Sequence, residues 1–355
     1  MKKLLTLFCI LAVFLLASIS RGEDTDLESE FQAAHKLEKL CASIELWGNN
    51  SCAEWEDGRL ISVNDDGDMI VVPVTDAILE CECLNKEIIE QIVKLTHLRR
   101  LWITYKSAED TDFPVHELKQ LEEFKIYPDF SFEIKNDSQK EENIFPQKWS
   151  ESIGASRSII NLKIPSLRSS IQEIAKMKQL MSLTLFYHYE EADKFPLLMP
   201  LKDSLRELTV VCKTPPQEAA NVLKHFTSLQ VLTVCCFDKT QNLDAFLNDI
   251  KHLQLRYLSL CTGEIGEEGE KILREWESLQ EVVLPWNFPD ERFQALEKIK
   301  IPVMLATYDK NQKEDSGRKV QMCQKFFKKA HVRSYRIDKE GNYIHWNELE
   351  GGIWM

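Results

Sequence analysis

Cysteine and histidine side chains are the residues of this chain best suited to metal binding or nucleophilic chemistry. The sequence holds ten Cys and eight His. Cys81 and Cys83 flank a single glutamate, but zinc sites use wider cysteine spacings and add further Cys or His ligands. His188, which stands between two tyrosines, is the histidine whose neighbours most resemble a site. Because neither pattern supplies a full ligand set, we predict no metal site.

Sequence motifs of known catalytic sites are also missing. The chain contains no Gly-x-Ser-x-Gly, no His-Glu-x-x-His and no Walker-type phosphate loop. The segment Gly263–Gly269 carries three glycines spaced like a phosphate loop, but the glutamates among them would repel a phosphate. We interpret this segment as a turn, and we predict a protein that is not an enzyme and that needs no cofactor.

The composition is that of a folded, acidic protein. Of the 355 residues, 44% are hydrophobic, and the formal net charge is −13. The apolar share is too high for a disordered chain. The acidic balance excludes nucleic acid as the expected partner, because phosphate binding requires a basic surface.

The first residues follow the order of a secretory signal. Lys2 and Lys3 precede an apolar run from Leu4 to Ala17, and small residues follow this run. The order predicts a signal peptide over residues 1–22, and the run is shorter than the ~20 residues of a membrane span. We predict a secreted or periplasmic protein with no stable membrane span after cleavage. The alternative is an uncleaved segment that holds the protein at the cell envelope.

Export to an oxidising compartment makes disulfides relevant. Cys41 and Cys52 both precede the first repeat described below, where a covalent link would stabilise the end of the fold, and this pair is the candidate disulfide. Cys81 and Cys83 lie two residues apart on a predicted strand, which suits a disulfide poorly. We interpret both as small core residues.

A short apolar frame recurs along most of the chain. It reads L-x-x-L-x-L, with apolar residues at its first, fourth and sixth positions. Its copies are Ile78/Cys81/Cys83, Leu98/Leu101/Ile103, Leu121/Phe124/Ile126, Ile159/Leu162/Ile164, Leu180/Leu183/Leu185, Leu205/Leu208/Val210, Leu229/Leu232/Val234, Leu255/Leu258/Leu260, Leu279/Val282/Leu284 and Ile301/Met304/Ala306. All steps between copies but the one from 121 to 159 fall within a period of roughly 20–29 residues. Residues two apart share one face of a strand, so the fourth and sixth positions should point inward.

The frame and its period resemble those of leucine-rich repeat proteins over residues 78–306. The resemblance implies an α/β fold, in which a right-handed solenoid builds a curved parallel sheet with helices on the convex side. Helical patterns do fall between the frames, at 87–95, 171–177, 217–226, 243–250 and 268–276. The family's Asn or Cys after the strand is mostly replaced, and only Asn287 matches it. The lead-in before the repeats is similar to that of many exported bacterial members of the family.

The resemblance divides the chain into four segments: the signal peptide 1–22, an N-terminal cap 23–77, the solenoid 78–309 and a C-terminal cap 310–355. In the first cap we expect a helix over 27–41 and a hairpin of strands 59–63 and 69–74. In the second we expect strands at 332–337 and 343–346. A polar insertion over 128–157 interrupts the repeats, and Phe145 and Trp149 are expected to anchor its end.

The third, fifth and seventh frame positions should form an outward strand face that is free to bind. On the later strands these positions are nearly uncharged, and the middle column there reads Thr233, Ser259 and Val283. The apolar residues expected close together on this part of the face are Phe186, Val211, Val231, Cys235, Tyr257 and Val283. Such an apolar surface is typical of an interface. The candidate binding residues on the whole face are Trp102, Tyr127, Phe186, Val211, Val231 and Tyr257. We predict a non-catalytic binding protein whose ligand is another protein.

Overall fold

A computed structural model describes residues 27–48, 54–56, 59–63, 69–128, 145–165, 168–186, 192–211, 216–235, 241–260, 263–284, 303–307, 331–334, 336–337 and 343–345. Contacts divide the chain into two compact units. Unit 1 comprises Met1–Pro128 and Glu142–Ser152, and unit 2 comprises Asp129–Glu141 and Ile153–Met355. The predicted signal peptide and most of the predicted insertion lie outside the described residues. The predicted segment boundaries stay predictions.

Unit 1 begins with a helix and continues with strands. Its elements are α1 (27–40), β1 (Ser43–Trp47), β2 (Glu54–Glu56), β3 (Arg59–Val63), β4 (Met69–Val71), β5 (Asp76–Leu84), α2 (Lys86–Ile92), β6 (Arg100–Ala108), a 3₁₀ turn (Val115–Glu117), β7 (Glu123–Pro128) and the start of α3 (Gln147–Ala155). Strands β5, β6 and β7 are parallel neighbours. Strand β1 pairs antiparallel with β5, and β2, β3 and β4 form a small antiparallel sheet. The predicted helix and hairpin of this region are confirmed.

Unit 2 alternates parallel strands with helices. Its strands are β8 (Asn161–Pro165), β9 (Ser182–Phe186), β10 (Glu207–Val211), β11 (Val231–Cys235), β12 (Tyr257–Leu260), β13 (Glu281–Leu284), β14 (Val303–Thr307) and β15 (His331–Ser334), followed by the hairpin β16 (Arg336–Ile337) and β17 (Tyr343–His345). Its helices are α4 (Arg168–Ile174), a 3₁₀ segment (Ala192–Leu201), α5 (Pro216–Leu223), α6 (Asp244–Ile250) and α7 (Glu267–Glu275). Every neighbouring pair from β8 to β15 is parallel. The α/β class and the parallel sheet are therefore confirmed.

The apolar frame positions line the core as their spacing predicts. Leu183, Leu208 and Leu232 stand side by side on adjacent strands, and all three are buried. The sixth positions pair in the same way, and the frames from 159 to 279 keep the predicted register. The alternation of buried and outward residues follows from the two-residue period of a strand.

One hydrogen-bond pattern marks the start of each repeat. A carbonyl just before a strand accepts from two successive amides of the next repeat, as Arg206 does from Gln230 and Val231 at 2.8 and 3.0 Å. The carbonyls that do so are those of Thr75, Arg99, Ile160, Met181, Arg206, Gln230 and Arg256. This hydrogen-bond pattern identifies equivalent positions in successive repeats, and it does so independently of the apolar frame.

The first and last frames differ from this register. Ala77 and Leu79 pair with Leu101 and Ile103, so the first frame begins at Val74 and the prediction of Ile78/Cys81/Cys83 was wrong by four residues. On the last strand Val303 pairs with Val282, so the prediction of Ile301/Met304/Ala306 was wrong by one residue. A slip of one residue exchanges the two faces of a strand.

An aromatic cluster fills the core of unit 1 at β6 and β7. Trp149 of α3 meets the rings of Tyr105, Phe113 and Phe145 edge-on, with centroids 6.0, 5.8 and 5.7 Å away. Its indole N–H donates to the carbonyl of Thr111 at 2.7 Å. Both Phe145 and Trp149 are buried. Their predicted role as anchors is confirmed within unit 1.

Candidate binding surface

The outward face of unit 1 is formed by alternate residues of β5, β6 and β7. The register aligns them in three rows across the strands: Asp76, Arg100 and Glu123; Ile78, Trp102 and Lys125; and Glu80, Thr104 and Tyr127. The sequence-based frame instead put Glu82 beside Trp102 and Glu80 beside Arg100. The four-residue shift of the first frame corrects both placements. We call these three rows the strand face of unit 1.

Trp102 is held in place by two charged side chains of β7. Its indole N–H donates to Glu123 Oε1 at 3.1 Å, and Lys125 Nζ stands 3.6 Å from its ring centroid. Lys125 Nζ also pairs with Glu123 Oε1 at 2.9 Å. A cation over an indole ring is attracted by the negative face of the π system. The three side chains therefore form one closed cluster that fixes the orientation of the half-buried ring.

Arg100 carries the most exposed charge of the first row. Its Nε donates to Asp76 Oδ1, while the other carboxylate oxygen accepts from Thr75 Oγ1 at 2.8 Å. The hydrogen bond from Arg100 to Asp76 raises the pKa of the guanidinium, and the charges of Asp76 and Glu123 add to this. The Arg100 side chain remains 58% exposed. The buried carboxylate thus orients a guanidinium whose outer edge stays free for a ligand.

Tyr127 completes the strand face in its third row. It is half-buried on β7 and stands beside Thr104 of β6. Further along β6, Lys106 Nζ lies 2.6 Å from Oε1 of Glu82 on the neighbouring strand β5. Each outward cation of this surface therefore has an acidic partner on its own or a neighbouring strand.

In unit 2, three outward strand positions of the middle column are buried. Thr233 is 4% exposed, and Ser259 and Val283 are 0% exposed. The sequence placed all three on the outward face and expected Val283 to belong to an exposed apolar patch, and for Val283 this expectation was wrong. Their strands β11, β12 and β13 are buried on both faces at this level, so the middle column offers no surface to a ligand there.

The remaining predicted binding residues of unit 2 lie in the two outward columns on either side of this middle column. Val231 and Tyr257 are direct neighbours on β11 and β12, and both are half-buried. Phe186 stands opposite Pro165, and Val211 stands opposite Cys235, at the carboxyl ends of their strands. The structure therefore brings Val231 and Tyr257 together. A binding role for these four residues stays a prediction.

Sequence reasoning placed Glu123 and Lys125 on the outward face but did not name them as residues that organise the strand face of unit 1. Glu123 and Lys125 are two residues apart on one strand, so they must project from the same face. That spacing, next to the tryptophan of the preceding repeat, was a usable signal. Asp76 carried no such signal, because its placement depends on the true register of the first strand.

The described residues hold few other groups suited to metal binding or nucleophilic chemistry. No group of three or more His, Cys, Asp or Glu among them is arranged to hold a metal ion. Within the same residues, no helix combines the length and the apolar character that a bilayer crossing requires. Cys41 and Cys81 bring their sulfur atoms within 3.6 Å of each other. Cys52, the predicted partner of Cys41, lies outside the described residues.

Comparison with known proteins identified no relative of this chain. No protein-family model matches the chain, and a search of curated proteins finds no significant match.

Proposed function

We propose that this protein is a leucine-rich repeat protein that binds another protein through its outward strand positions and carries out no catalysis. Repeats of 21 to 26 residues between equivalent carbonyls in unit 2 support the repeat type. Parallel strands alternating with helices are the architecture of such a right-handed solenoid, whose helices take the convex side. The frame positions, which are buried in register, agree with this assignment.

The observation that carries the binding role is the strand face of unit 1. It places two half-buried aromatic rings, Trp102 and Tyr127, on the same strand face as the exposed guanidinium of Arg100. Tryptophan, tyrosine and arginine are the residue types that dominate the energy of protein interfaces. Their attachment to hydrogen-bonded strands means that little conformational entropy is lost when a partner binds.

The test is a capture experiment followed by measured affinities. The full chain, immobilised, is exposed to the extracellular and periplasmic proteins of its source, and a retained protein is identified, purified and titrated. We expect Arg100→Ala and Tyr127→Ala each to weaken its binding by about tenfold or more, the loss typical of an interface residue that matters. Lys86→Ala is the matched control, because Lys86 lies on helix α2 and also has a carboxylate partner, Glu90, at 3.7 Å. Equal affinities for all three variants would refute the strand face as the binding site.

The place of action is part of the proposal. The chain would act as a secreted or periplasmic protein after loss of residues 1–22, which the order of charges and apolar residues at its start supports. Retention at the envelope by the same segment is the alternative. Mass spectrometry of the N-terminus separates the two: Glu23 as the first residue indicates release, and Met1 indicates retention.

A further inference from the structure

Two cysteine sulfurs meet where α1 joins the first sheet strand of unit 1. Cys41 Sγ and Cys81 Sγ are 3.6 Å apart, although the residues are 40 positions apart in sequence. A disulfide bond is about 2.05 Å long, so the sulfurs are about 1.6 Å further apart than in the bonded state.

The backbone on both sides keeps these sulfurs together. The Cys41 amide donates to the carbonyl of Leu37 at 2.9 Å and so closes the last turn of α1. The next amide, that of Ala42, donates to the carbonyl of Glu80 at 2.8 Å. The antiparallel pairing of β1 with β5 then starts with Ser43 beside Glu80. The proximity of the two cysteine backbones is therefore a consequence of strand pairing.

We propose that Cys41 and Cys81 form a disulfide that ties helix α1 to strand β5. The oxidant is a disulfide, of a small thiol or of a dithiol oxidase. The Cys41 thiolate attacks one sulfur of that disulfide, forms a mixed disulfide and releases the first thiol. The Cys81 thiolate then attacks Cys41 Sγ, closes the protein disulfide and releases the second thiol. The two electrons and the two thiol protons thus end on the reduced oxidant.

The environments of the two thiols assign these roles. Cys41 is half-buried, and its hydrogen bond with the Cys81 side chain lowers the pKa of its thiol. Cys81 is buried, and the same hydrogen bond together with burial raises its pKa. The thiolate is the reactive form of cysteine. Cys41 is therefore the more accessible sulfur and the one more readily ionised, and Cys81 resolves the mixed disulfide.

Two other pairings compete with this one. Cys83 follows Cys81 by two residues on β5, and two cysteines so placed on one strand suit a disulfide poorly. Cys52 is the partner that the sequence suggested for Cys41. The observed contact favours Cys81, because a disulfide forms only between cysteines whose Cα and Cβ atoms are already close.

Peptide mapping distinguishes the pairings directly. The reduced full chain is treated with oxidised glutathione, its free thiols are alkylated, and it is digested with trypsin and a protease that cleaves after glutamate. Cleavage after Lys39, Glu45, Glu80 and Glu82 separates Cys41 from Cys52 and Cys81 from Cys83. We expect the peptide 40–45 to be linked to the peptide 81–82. A link from Cys41 to any other cysteine, or alkylation of Cys41 and Cys81 alike, would overturn the proposal.

Stability measurements supply a second readout. A link across 40 residues restricts the unfolded chain, and we expect oxidation to raise the thermal midpoint of unit 1 by roughly 10 °C. Cys52→Ser should keep this rise in full, whereas Cys41→Ser, which removes a half-buried thiol, should abolish it. A rise that persists in Cys41→Ser, or that disappears in Cys52→Ser, would show that another disulfide is responsible.

Discussion

Replacement of Trp149 by alanine should destabilise unit 1 strongly. The indole is 0% exposed and contacts three aromatic rings, and its N–H supplies the hydrogen bond to the Thr111 carbonyl. Truncation of a buried tryptophan lowers the free energy of unfolding by about 3–5 kcal/mol. We place this change at about 4 kcal/mol, because the surrounding rings belong to different elements and cannot collapse together into the cavity.

Urea unfolding followed by far-ultraviolet circular dichroism measures this loss, and hydrogen exchange of the β6 amides reports it for unit 1 alone. Trp47→Ala is the matched control, since Trp47 on β1 is 36% exposed and should lose clearly less stability than Trp149→Ala. Trp149→Phe keeps a ring but removes the donor and should lose an intermediate amount, about 1–3 kcal/mol. A loss below about 1 kcal/mol for Trp149→Ala would refute the reasoning that this cluster anchors the segment.

Three further substitutions test other parts of the fold by urea unfolding. Glu30→Ala should lower the free energy of unfolding by about 2–3 kcal/mol, because the buried carboxylate accepts hydrogen bonds from His97 N and His97 Nδ1 at 3.0 and 2.7 Å. An unchanged urea midpoint would show that these hydrogen bonds do not stabilise the fold. Asn85→Ala should cost about 1 kcal/mol, since its side chain caps α2, and Asn85→Ser should restore most of the loss. Gly263→Ala should be destabilising, because the φ angle of Gly263 is +108° and the new methyl group would lie 2.7 Å from the Leu243 side chain. An unchanged free energy of unfolding would show that this turn can rearrange.

The inward half of the fold was predictable because it depends on local periodicity. Leu208 and Val210 are two apart, so they share a face wherever a strand forms. Helix α5 was equally accessible, since Pro216 suits the first turn of a helix and the helix does begin there. The register of neighbouring strands in unit 2 follows, because only one register places all these apolar pairs in the same core.

The ends of the repeat array were less predictable because their apolar pattern fits several frames. Strand β5 spans nine residues, and both Ala77/Leu79 and Cys81/Cys83 satisfy the inward pattern of the frame. The backbone selects the first pair, since the carbonyl of Thr75 takes the place that the Arg99 carbonyl takes one repeat later. The run from Val303 to Ala306 is apolar at every position, so alternation alone cannot say which residues point inward.

The exposure of the outward positions could not be derived from the sequence. Thr233 and Ser259 are small polar residues with strand-compatible spacing, and the same residue types would suit a solvated face. Their burial depends on what packs across that face, and this is a long-range property of the fold. The sequence could therefore identify which residues point outward, but not which of them a ligand can reach.

The charges of the strand face of unit 1 determine how a partner would bind there. Within this face, Asp76 with Arg100 and Glu123 with Lys125 are opposite charges in contact, so each pair has only a small net field at a distance, and the exposed Glu80 leaves the face with one net negative charge. These pairs should therefore add little to long-range attraction or to the salt dependence of the association rate. The contact energy must come instead from the aromatic rings and from the exposed edge of the guanidinium. Substitutions at these residues should therefore act mainly on the dissociation rate.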